Sequence, residues 1–294
     1  MTAVDVMLPY YGDVEQMKAA ARSVMAQHFK DWRLHVFDDG YPSPEPEQFF
    51  AGIDDPRVSY QKNEQNLGAN GNYRKALAQA QAPFVVIMGA DDIMLPNYLD
   101  VVVRSFEAHA QAVIVQPGVQ VIDENGSAVM PLVDRVKKAC APRSVTPVVL
   151  SHEQLAASLL RANWTYFPSL AWRTETVQQI GFTEGLDVVQ DLAMLLDVAD
   201  RGGELVVDPE LAFLYRRHSA SDSSVRALDG RRFEEERRFF QRQSERFRAR
   251  GWEKAARAAN MHLMSRLNAG SLVFKALSSG QGASVQKLLK HVVG

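Results

Sequence analysis

The chain has 294 residues, of which 46% are hydrophobic and 23% are charged, and its formal net charge is −2. This length suits one large domain or two small ones, and a chain this long can bury a core without disulfides or metals to staple it. The near-neutral charge argues against a broadly basic nucleic-acid-binding protein and gives no sign of acidic partners.

The first half of the chain alternates between strand and helix patterns. The apolar run from Ala3 to Leu8 predicts a buried strand, and Asp13 with Gln16 three residues later is typical of a helix start. The next strand pattern, WRLHVFDDG, ends in Asp38 and Asp39. The alternation continues, with strands expected at 57–63 and 84–89 and helices at 70–81 and after Pro96. Strands joined through helices run parallel, so a parallel sheet is predicted.

The second half departs from this alternation. Asn125-Gly126 predicts a hairpin turn, and residues 131–150, which contain three prolines, predict a loop. The remaining expected elements are a helix capped by Ser151, a helix ended by Gly202-Gly203, and two short strands around a turn at Asp208-Pro209. From Leu228 onward the sequence is mostly helical.

Two of the expected strands end in a pair of acids, Asp38-Asp39 and Asp91-Asp92. In open α/β sheets, ligands bind outside the carboxyl ends of the strands, so both pairs are expected to face one crevice. The alternative is that each pair caps the turn or helix that follows it. Clustered carboxylates suit Mg²⁺ or Mn²⁺, which also bind phosphate oxygens, so a diphosphate leaving group is the natural partner.

Other site patterns are weaker. The sequence has no G-x-G-x-x-G after its first strand, no P-loop and no G-x-S-x-G elbow. The only cysteine, Cys140, cannot form an internal disulfide and is interpreted as a packed or loop residue; its isolation fits a reducing, cytoplasmic compartment. No signal peptide or membrane span is expected from the sequence.

The stretch VDVMLPYYGDVEQMKAAARSVMAQHFKDWRLHVFDDG, followed by NEQNLGANGNYRKALAQAQAPFVVIMGADDIMLP, resembles the family 2 glycosyltransferases of the GT-A fold. The resemblance extends over about 4–225. It implies an α/β, Rossmann-like and mostly parallel sheet flanked by helices. The catalytic domain would then be residues 1–227, and residues 228–294 would form a C-terminal helical extension.

The resemblance also implies how a nucleotide-sugar donor binds. Pro9, Tyr10 and Tyr11 stand where the family's first loop lies against the base and ribose. Asp39 matches the aspartate that accepts a hydrogen bond from the pyrimidine N–H, with Asp38 as its helper.

The second acid pair matches the family's metal motif. Asp92 would hold Mn²⁺ or Mg²⁺, and Asp91 would contact the ribose or the metal. Gly89 stands where many members carry a further acid. After the last strands, His218 is a candidate metal or phosphate ligand and Arg216 a candidate phosphate contact.

The resemblance makes Asp191 the catalytic base, which takes the proton of the acceptor hydroxyl in one inverting displacement. Gln190 stands where many members carry a glutamate, and Asp187 is the backup base. An aromatic group before the base is expected either to bind the acceptor or to pack in the core: Trp164, Tyr166 and Phe167.

The activity implied is transfer of a sugar from a nucleoside-diphosphate sugar to a hydroxyl of a saccharide, a lipid-linked glycan or a natural product. UDP-sugars are favoured over dTDP- and GDP-sugars. One alternative is a non-catalytic module of the same fold that binds nucleotide-sugar or protein. A sugar nucleotidyltransferase is disfavoured, because PYYGD is not the Gly-rich, Arg-bearing loop such an enzyme needs.

The C-terminal extension has two interpretations. Phe233, Phe240 and Phe247 recur every seven residues and would pack on the catalytic domain or on a second subunit, giving a homo-oligomer. Alternatively, the extension would be a peripheral anchor on the inner face of the membrane. The acids at 234–236 and the break at 280–282 favour docking to protein. No nucleic acid is expected as a partner.

Overall fold

The computed structural model describes residues 2–217 and 231–262, and within these residues it contains one nine-stranded sheet flanked by helices. The strands are β1 (Val4–Tyr10), β2 (Trp32–Asp38), β3 (Val58–Lys62), β4 (Phe84–Ile87), β5 (Ile93–Met94), β6 (Ala112–Ile122), β7 (Val148–Ser151), β8 (Ala171–Arg173) and β9 (Glu204–Arg216). The helices are α1 (Val14–Met25), α2 (Glu45–Ala51), α3 (Gly68–Ala78), α4 (Tyr98–Ala108), α5 (Leu132–Cys140), α6 (His152–Arg161), α7 (Thr174–Ile180), α8 (Gln190–Asp200), α9 (Arg231–Ala249) and α10 (Glu253–Met261).

The strand order is β3-β2-β1-β4-β8-β6-β9-β5, with β7 also paired to β9. The first four strands are parallel to one another. β6 runs in their direction because β8 is antiparallel to both β4 and β6, and β9 is parallel to β6. The mostly parallel α/β sheet expected from the sequence is therefore confirmed. The carboxyl ends of six strands meet at one edge.

Alternation along the strands gives the sheet two apolar faces. Val6 and Leu8 of β1 point into a core formed with α1, α2 and α4, whereas Met7 between them points into the opposite core. The second core contains α3, α6, α7 and α8 and also the C-terminal helices α9 and α10. Helices on both faces are what a parallel sheet requires, since both of its sides are apolar.

Local sequence signals explain several boundaries. The Asp13 side chain accepts a hydrogen bond from the Gln16 N–H at 2.8 Å, so the expected cap of α1 is confirmed. The hairpin turn also forms, with Gly126 at a φ of 84° and one antiparallel bridge between Ile122 and Ala128.

Two sequence expectations are wrong. Residues 131–150 are not a loop, because they contain α5 and β7. Residues 204–216 are not two strands but the single strand β9, whose register against β6 shifts on both sides of Gly118. Pro209 lies at this irregularity, where a missing N–H costs no regular ladder bond. The sequence reading also missed four short elements, α2, β5, α7 and β8.

The C-terminal helices pack against the rest of the chain. Phe240 and Phe247 are buried in the same core as Leu155 of α6 and Leu195 of α8. The side chain of Phe233 and all residues from 263 onward lie outside the described part of the chain. Among the described residues, no helix has the length and apolar character that a membrane crossing requires.

Candidate active site

Both acid pairs lie at the edge where the parallel strands end. Asp38 is the last residue of β2, and Asp39 follows it. Asp91 and Asp92 lie in the turn between β4 and β5. The strand between β2 and β4 is β1, which ends at Tyr10. The sheet therefore places the two acid pairs on either side of the first-strand loop.

The two acids after β2 have different surroundings. The Asp38 carboxylate accepts hydrogen bonds from Tyr41 N–H at 2.6 Å and from the Tyr60 hydroxyl at 2.5 Å, so both of its oxygens hold the local turn. Asp39 is 1% exposed, and one of its oxygens, Oδ1, accepts from the Asn63 amide and the Leu67 N–H. Its other oxygen, Oδ2, is buried without a hydrogen-bond partner. Burying an unpaired acceptor is costly, so Oδ2 is suited to an N–H donor from a ligand.

The first-strand loop offers less side-chain surface than expected. Pro9 and Tyr10 are buried, and the Tyr10 hydroxyl donates to the Gly12 carbonyl at 2.9 Å. Tyr11 is 59% exposed, and its ring lies 5.6 Å from that of Tyr41. Of the three, Tyr11 has the most accessible ring.

The second acid pair is packed over a glycine. Asp92 is 1% exposed; its Oδ1 accepts from the Arg216 N–H at 2.8 Å, and its Oδ2 is buried without a partner. Burial, and then the charge of Asp91, raise the pKa of Asp92 well above its usual value, against the lowering effect of the Arg216 N–H. A Cβ on Gly89 would lie 2.5 Å from Asp92 Oδ2 and 2.9 Å from Asp91 Oδ1. Both carboxylates therefore turn toward space that only glycine leaves open.

Arg216 holds this turn in place. Its Nε donates to the Asp91 carbonyl at 2.7 Å, and its Nη1 donates to the carbonyls of Asp123 and Glu124. Three of its five guanidinium N–H groups thus bind main chain, which makes positioning of the acid pair its visible role. His218 lies outside the described residues.

The surroundings of Asp91 and Asp92 suit a divalent cation. An unpaired, buried carboxylate oxygen beside a second carboxylate is a costly arrangement that a cation would relieve. Among the described residues, no cluster of three or more His, Cys, Asp or Glu side chains has the geometry to hold a metal. A cation at Asp92 and Asp91 would therefore complete its shell with waters or phosphate oxygens, as Mg²⁺ does.

Asp191 lies in the first turn of α8. Its Oδ2 accepts from the Asn163 amide at 3.0 Å, and its Oδ1 accepts from the Leu192 N–H at 2.7 Å. Burial raises the pKa of Asp191, although the Leu192 N–H, the Lys137 charge and the Asn163 amide act in the opposite direction. Asp187, the backup base, is exposed and accepts from the Asn70 amide at 2.7 Å.

The sequence reading missed the charged residues that α5 brings to this region. Lys137 donates to the Thr165 carbonyl at 2.7 Å, and burial lowers its pKa to about 8, although the nearby Asp191 charge raises it. Asp134 is fully buried and accepts from Arg217 at 2.6 Å and from the Tyr166 hydroxyl at 3.1 Å. The three-residue spacing of Asp134 and Lys137 is compatible with one face of a helix. A buried helix face is usually recognised in a sequence by apolar residues, and these two are charged.

The three aromatic candidates for acceptor binding differ in position. Trp164 is 1% exposed and packs in the core, with its indole N–H donating to the Ser158 hydroxyl, so the packing interpretation is right for this residue. Tyr166 and Phe167 are partly buried. The Tyr166 ring lies 5.0 Å from Tyr215 and under the Lys137 ammonium at 4.6 Å. Tyr166 thus borders the same charged region as Asp191.

The C-terminal helix α9 holds the segment that leads into α8. One Glu235 carboxylate oxygen accepts the N–H groups of residues 187–189 at 2.8 to 3.3 Å. Arg246 donates to Asp197 at 2.6 Å and to Asp200 at 2.7 Å, both on α8. Local sequence patterns do not predict these contacts, because the partners are about 50 residues apart in the chain.

Comparison with known proteins agrees with this arrangement. Residues 5–148 match the family model Glycosyl transferase family 2. The succinoglycan biosynthesis protein ExoO of Rhizobium meliloti is 25% identical over 77% of this chain and 64% of its own length. The UDP-Glc:alpha-D-GlcNAc-diphosphoundecaprenol beta-1,3-glucosyltransferase WfgD of Escherichia coli is 31% identical over 33% of this chain and 38% of its own length. This chain therefore spans under two thirds of the length of either relative.

Solved structures share the fold. The crystal structure of S. aureus TarS 1-349 superimposes with a TM-score of 0.67 at 16% identity, covering 99% of this chain and 81% of that chain. Its complex with UDP-GlcNAc gives a TM-score of 0.62 at 17% identity, covering 81% of this chain and 65% of that chain. Together, the mostly parallel sheet, its acid-lined edge and the matched family region define a glycosyltransferase fold of the GT-A class. Residues 5–148 carry the sequence pattern of glycosyltransferase family 2, and the described residues have the fold that such enzymes use.

Proposed function

We propose that this chain transfers a sugar from a nucleoside-diphosphate sugar, with UDP as the preferred nucleotide, to an acceptor hydroxyl with inversion at the anomeric carbon. The observation that carries the proposal is the pair of buried carboxylates, Asp39 and Asp92, at one sheet edge. Each has one oxygen bonded inside the protein and one buried oxygen without a partner. Two such oxygens suit a ligand that has both an N–H donor and a cation-bound diphosphate.

The Asp39 oxygen supports recognition of a pyrimidine. The Asn63 amide and the Leu67 N–H fix Oδ1, which leaves Oδ2 to accept the ring N–H of uracil or thymine. UDP is favoured because the TarS structure of similar fold was solved with UDP-GlcNAc. Tyr11, exposed beside Tyr41, is the ring available to lie against the base or ribose.

The second acid pair would serve the diphosphate. Asp92 and Asp91 would hold Mn²⁺ or Mg²⁺, which when bound neutralises charge on the leaving diphosphate. Arg216 holds this pair through its own N–H and through the Asp91 carbonyl, so its role is to position the acids.

Asp191 is the general base of the proposal. It accepts the proton of the acceptor hydroxyl, whose oxygen forms the new bond to the anomeric carbon as the bond to the diphosphate oxygen breaks. Attack from the face opposite the leaving group inverts that carbon. The Asn163 amide and the Leu192 N–H orient the carboxylate, while burial keeps its proton affinity higher than that of an exposed aspartate.

A lipid-linked saccharide is the proposed acceptor. The relative WfgD is named for transfer to a sugar on diphosphoundecaprenol, and ExoO for the synthesis of a polysaccharide. Tyr166, which is partly buried under Lys137 near Asp191, and the partly buried Phe167 next to it in the chain are the aromatic surface available to the acceptor sugar.

The test is a transfer assay with UDP-, dTDP- and GDP-sugars, each with and without Mn²⁺, on a polyprenol-diphosphate-linked monosaccharide. We expect turnover with a UDP-sugar and a product of opposite anomeric configuration by NMR. Retention of configuration would contradict the single displacement. A chain that binds UDP but neither transfers nor hydrolyses any of the donors would be a binding module instead.

A further inference from the structure

The amphipathic helix α5 has charged residues on its buried face and apolar residues on its exposed face. Asp134 on its inner face is fully buried, and Lys137 on the same face reaches the Thr165 carbonyl. The residues at the spacing of the opposite face are apolar; this outer face consists of Leu132, Val133, Val136, Ala139 and Cys140. Leu132 is 73% exposed and Val133 is 46% exposed. A surface helix normally shows the reverse arrangement.

The apolar exposure continues on both sides of the helix. Met130, directly before it, is 38% exposed, and Val145, shortly after it, is 96% exposed. Scattered single apolar residues need no explanation, but exposed apolar residues gathered along one short stretch mark an interaction surface.

The charges along the same stretch have one sign. Arg135, Lys138 and Arg143 are exposed. The only acid between Ser127 and Pro147 is Asp134, which is buried against Arg217. The surface is therefore apolar with a basic border, which complements an anionic lipid headgroup layer over an apolar interior.

The inner face of α5 connects this surface to the proposed base. Lys137 donates to the carbonyl of Thr165, whose hydroxyl donates to the Asn163 side chain at 2.7 Å, and the Asn163 amide donates to Asp191. A partner on the outer face would thus lie one helix diameter from the acceptor side of the site.

We infer that the outer face of α5 lies on the surface of an anionic lipid bilayer. The bilayer takes up Leu132 and Val133 at the headgroup boundary, and Arg135 and Arg143 contact the acidic headgroups. The inference deepens the proposed function, since a lipid-linked acceptor would then be presented beside Asp191.

Vesicle binding of the full chain tests the inference. Wild-type protein should co-sediment with phosphatidylcholine vesicles that contain phosphatidylglycerol, and far less with phosphatidylcholine alone or at high salt. The double substitution L132S/V133S should weaken this binding roughly 10- to 100-fold, since each side chain contributes on the order of one tenfold step. R135E should weaken binding to the anionic vesicles only. The matched control is L211S, which alters a leucine outside this stretch that is 45% exposed, close to the 46% of Val133.

The only cysteine supplies a second readout. An environment-sensitive fluorophore on Cys140, which is exposed, should shift its emission to the blue when anionic vesicles are added. The control carries C140S and Q79C, because Gln79 is exposed between α3 and β4, at the opposite edge of the sheet. That probe should not respond.

Several results would overturn the inference. One is equal binding of L132S/V133S and wild type; another is binding that disappears only on truncation after His262, which would assign it to the C-terminal residues. A probe at Cys140 that is already blue-shifted without vesicles would mean that the chain itself covers the face. Concentration-dependent self-association abolished by L132S/V133S would make the face a dimer interface. A water-soluble acceptor separates this inference from the proposed function. L132S/V133S should still transfer sugar to such an acceptor. Failure of the wild type to do so would contradict the proposed function and not the lipid contact.

Discussion

Gly89→Ala adds one carbon at the point where both carboxylates of the second acid pair converge. That Cβ would lie 2.5 Å from Asp92 Oδ2, whereas ordinary contact begins at 3.4 Å, so the oxygen must retreat by 3.4 − 2.5 = 0.9 Å. Asp91 Oδ1 must retreat by 3.4 − 2.9 = 0.5 Å. The Arg216 N–H holds the other oxygen of Asp92, so the carboxylate can yield only by rotating or by breaking that bond.

The displacement should harm activity more than stability. A misplacement of about 1 Å at a reacting group can cost ~10²-fold in rate, so we expect kcat/KM for transfer to fall about 100-fold. Overpacking a buried site costs about 1–3 kcal/mol, which is the expected loss in the free energy of unfolding by urea. Gly89→Asp should behave no better, because the clash begins at Cβ.

The matched control is Gly52→Ala at the end of α2. Its Cβ would have its nearest neighbour at 3.6 Å, and its backbone is already right-handed helical at a φ of −84°. Transfer kinetics and urea unfolding should both stay at the wild-type level in this variant. Near wild-type transfer by Gly89→Ala would refute the geometry assigned to the acid pair.

Three further outcomes follow from the contacts of the base. Asp191→Asn should lower transfer by ~10²–10⁴-fold while UDP binding by calorimetry is unchanged, and near wild-type turnover would point to Asp187. The transfer rate should rise with pH through the raised pKa of Asp191, because only the carboxylate accepts a proton. Lys137→Gln removes a charge that lowers this pKa. The acid limb of the pH–rate profile should therefore move to higher pH in this variant. An unmoved limb would contradict that contact. Glu235→Ala removes the acceptor for the N–H groups of 187–189 and should lower the free energy of unfolding by urea by about 1–3 kcal/mol. Transfer should fall more than UDP binding. A free energy of unfolding equal to that of the wild type would show the contact to be dispensable.

The sequence predicted the parallel part of the fold because its signals are local. Apolar runs, the Asp13 cap and the turn at Gly126 each act within a few residues, and all three formed as expected. The position of the acid pairs followed from the rule that parallel strands end at one edge. Which carboxylate oxygens are left without partners could not follow, because Asn63 and Arg216 come from distant segments.

The sequence failed where an element is stabilised by charges rather than by an apolar stripe. The sequence predicts a loop in place of α5, because Pro131 and Pro142 flank the segment and its inner residues, Asp134 and Lys137, are charged. Both prolines in fact lie just outside the helix, where their ring causes no clash. For a similar reason the sequence predicts two strands in place of β9, since a bulge and a turn share the same residue preferences at Pro209.

Calorimetric titration of UDP, with and without Mn²⁺, into wild type and Asp92→Asn tests the central claim most directly. The claim is that the buried Asp92 oxygen without a partner serves a cation that holds the diphosphate, whereas Asp39 reads the base. Mn²⁺ should tighten UDP binding by the wild type, and Asp92→Asn should abolish this gain while leaving the metal-free affinity unchanged. A gain from Mn²⁺ that persists in Asp92→Asn would contradict the account.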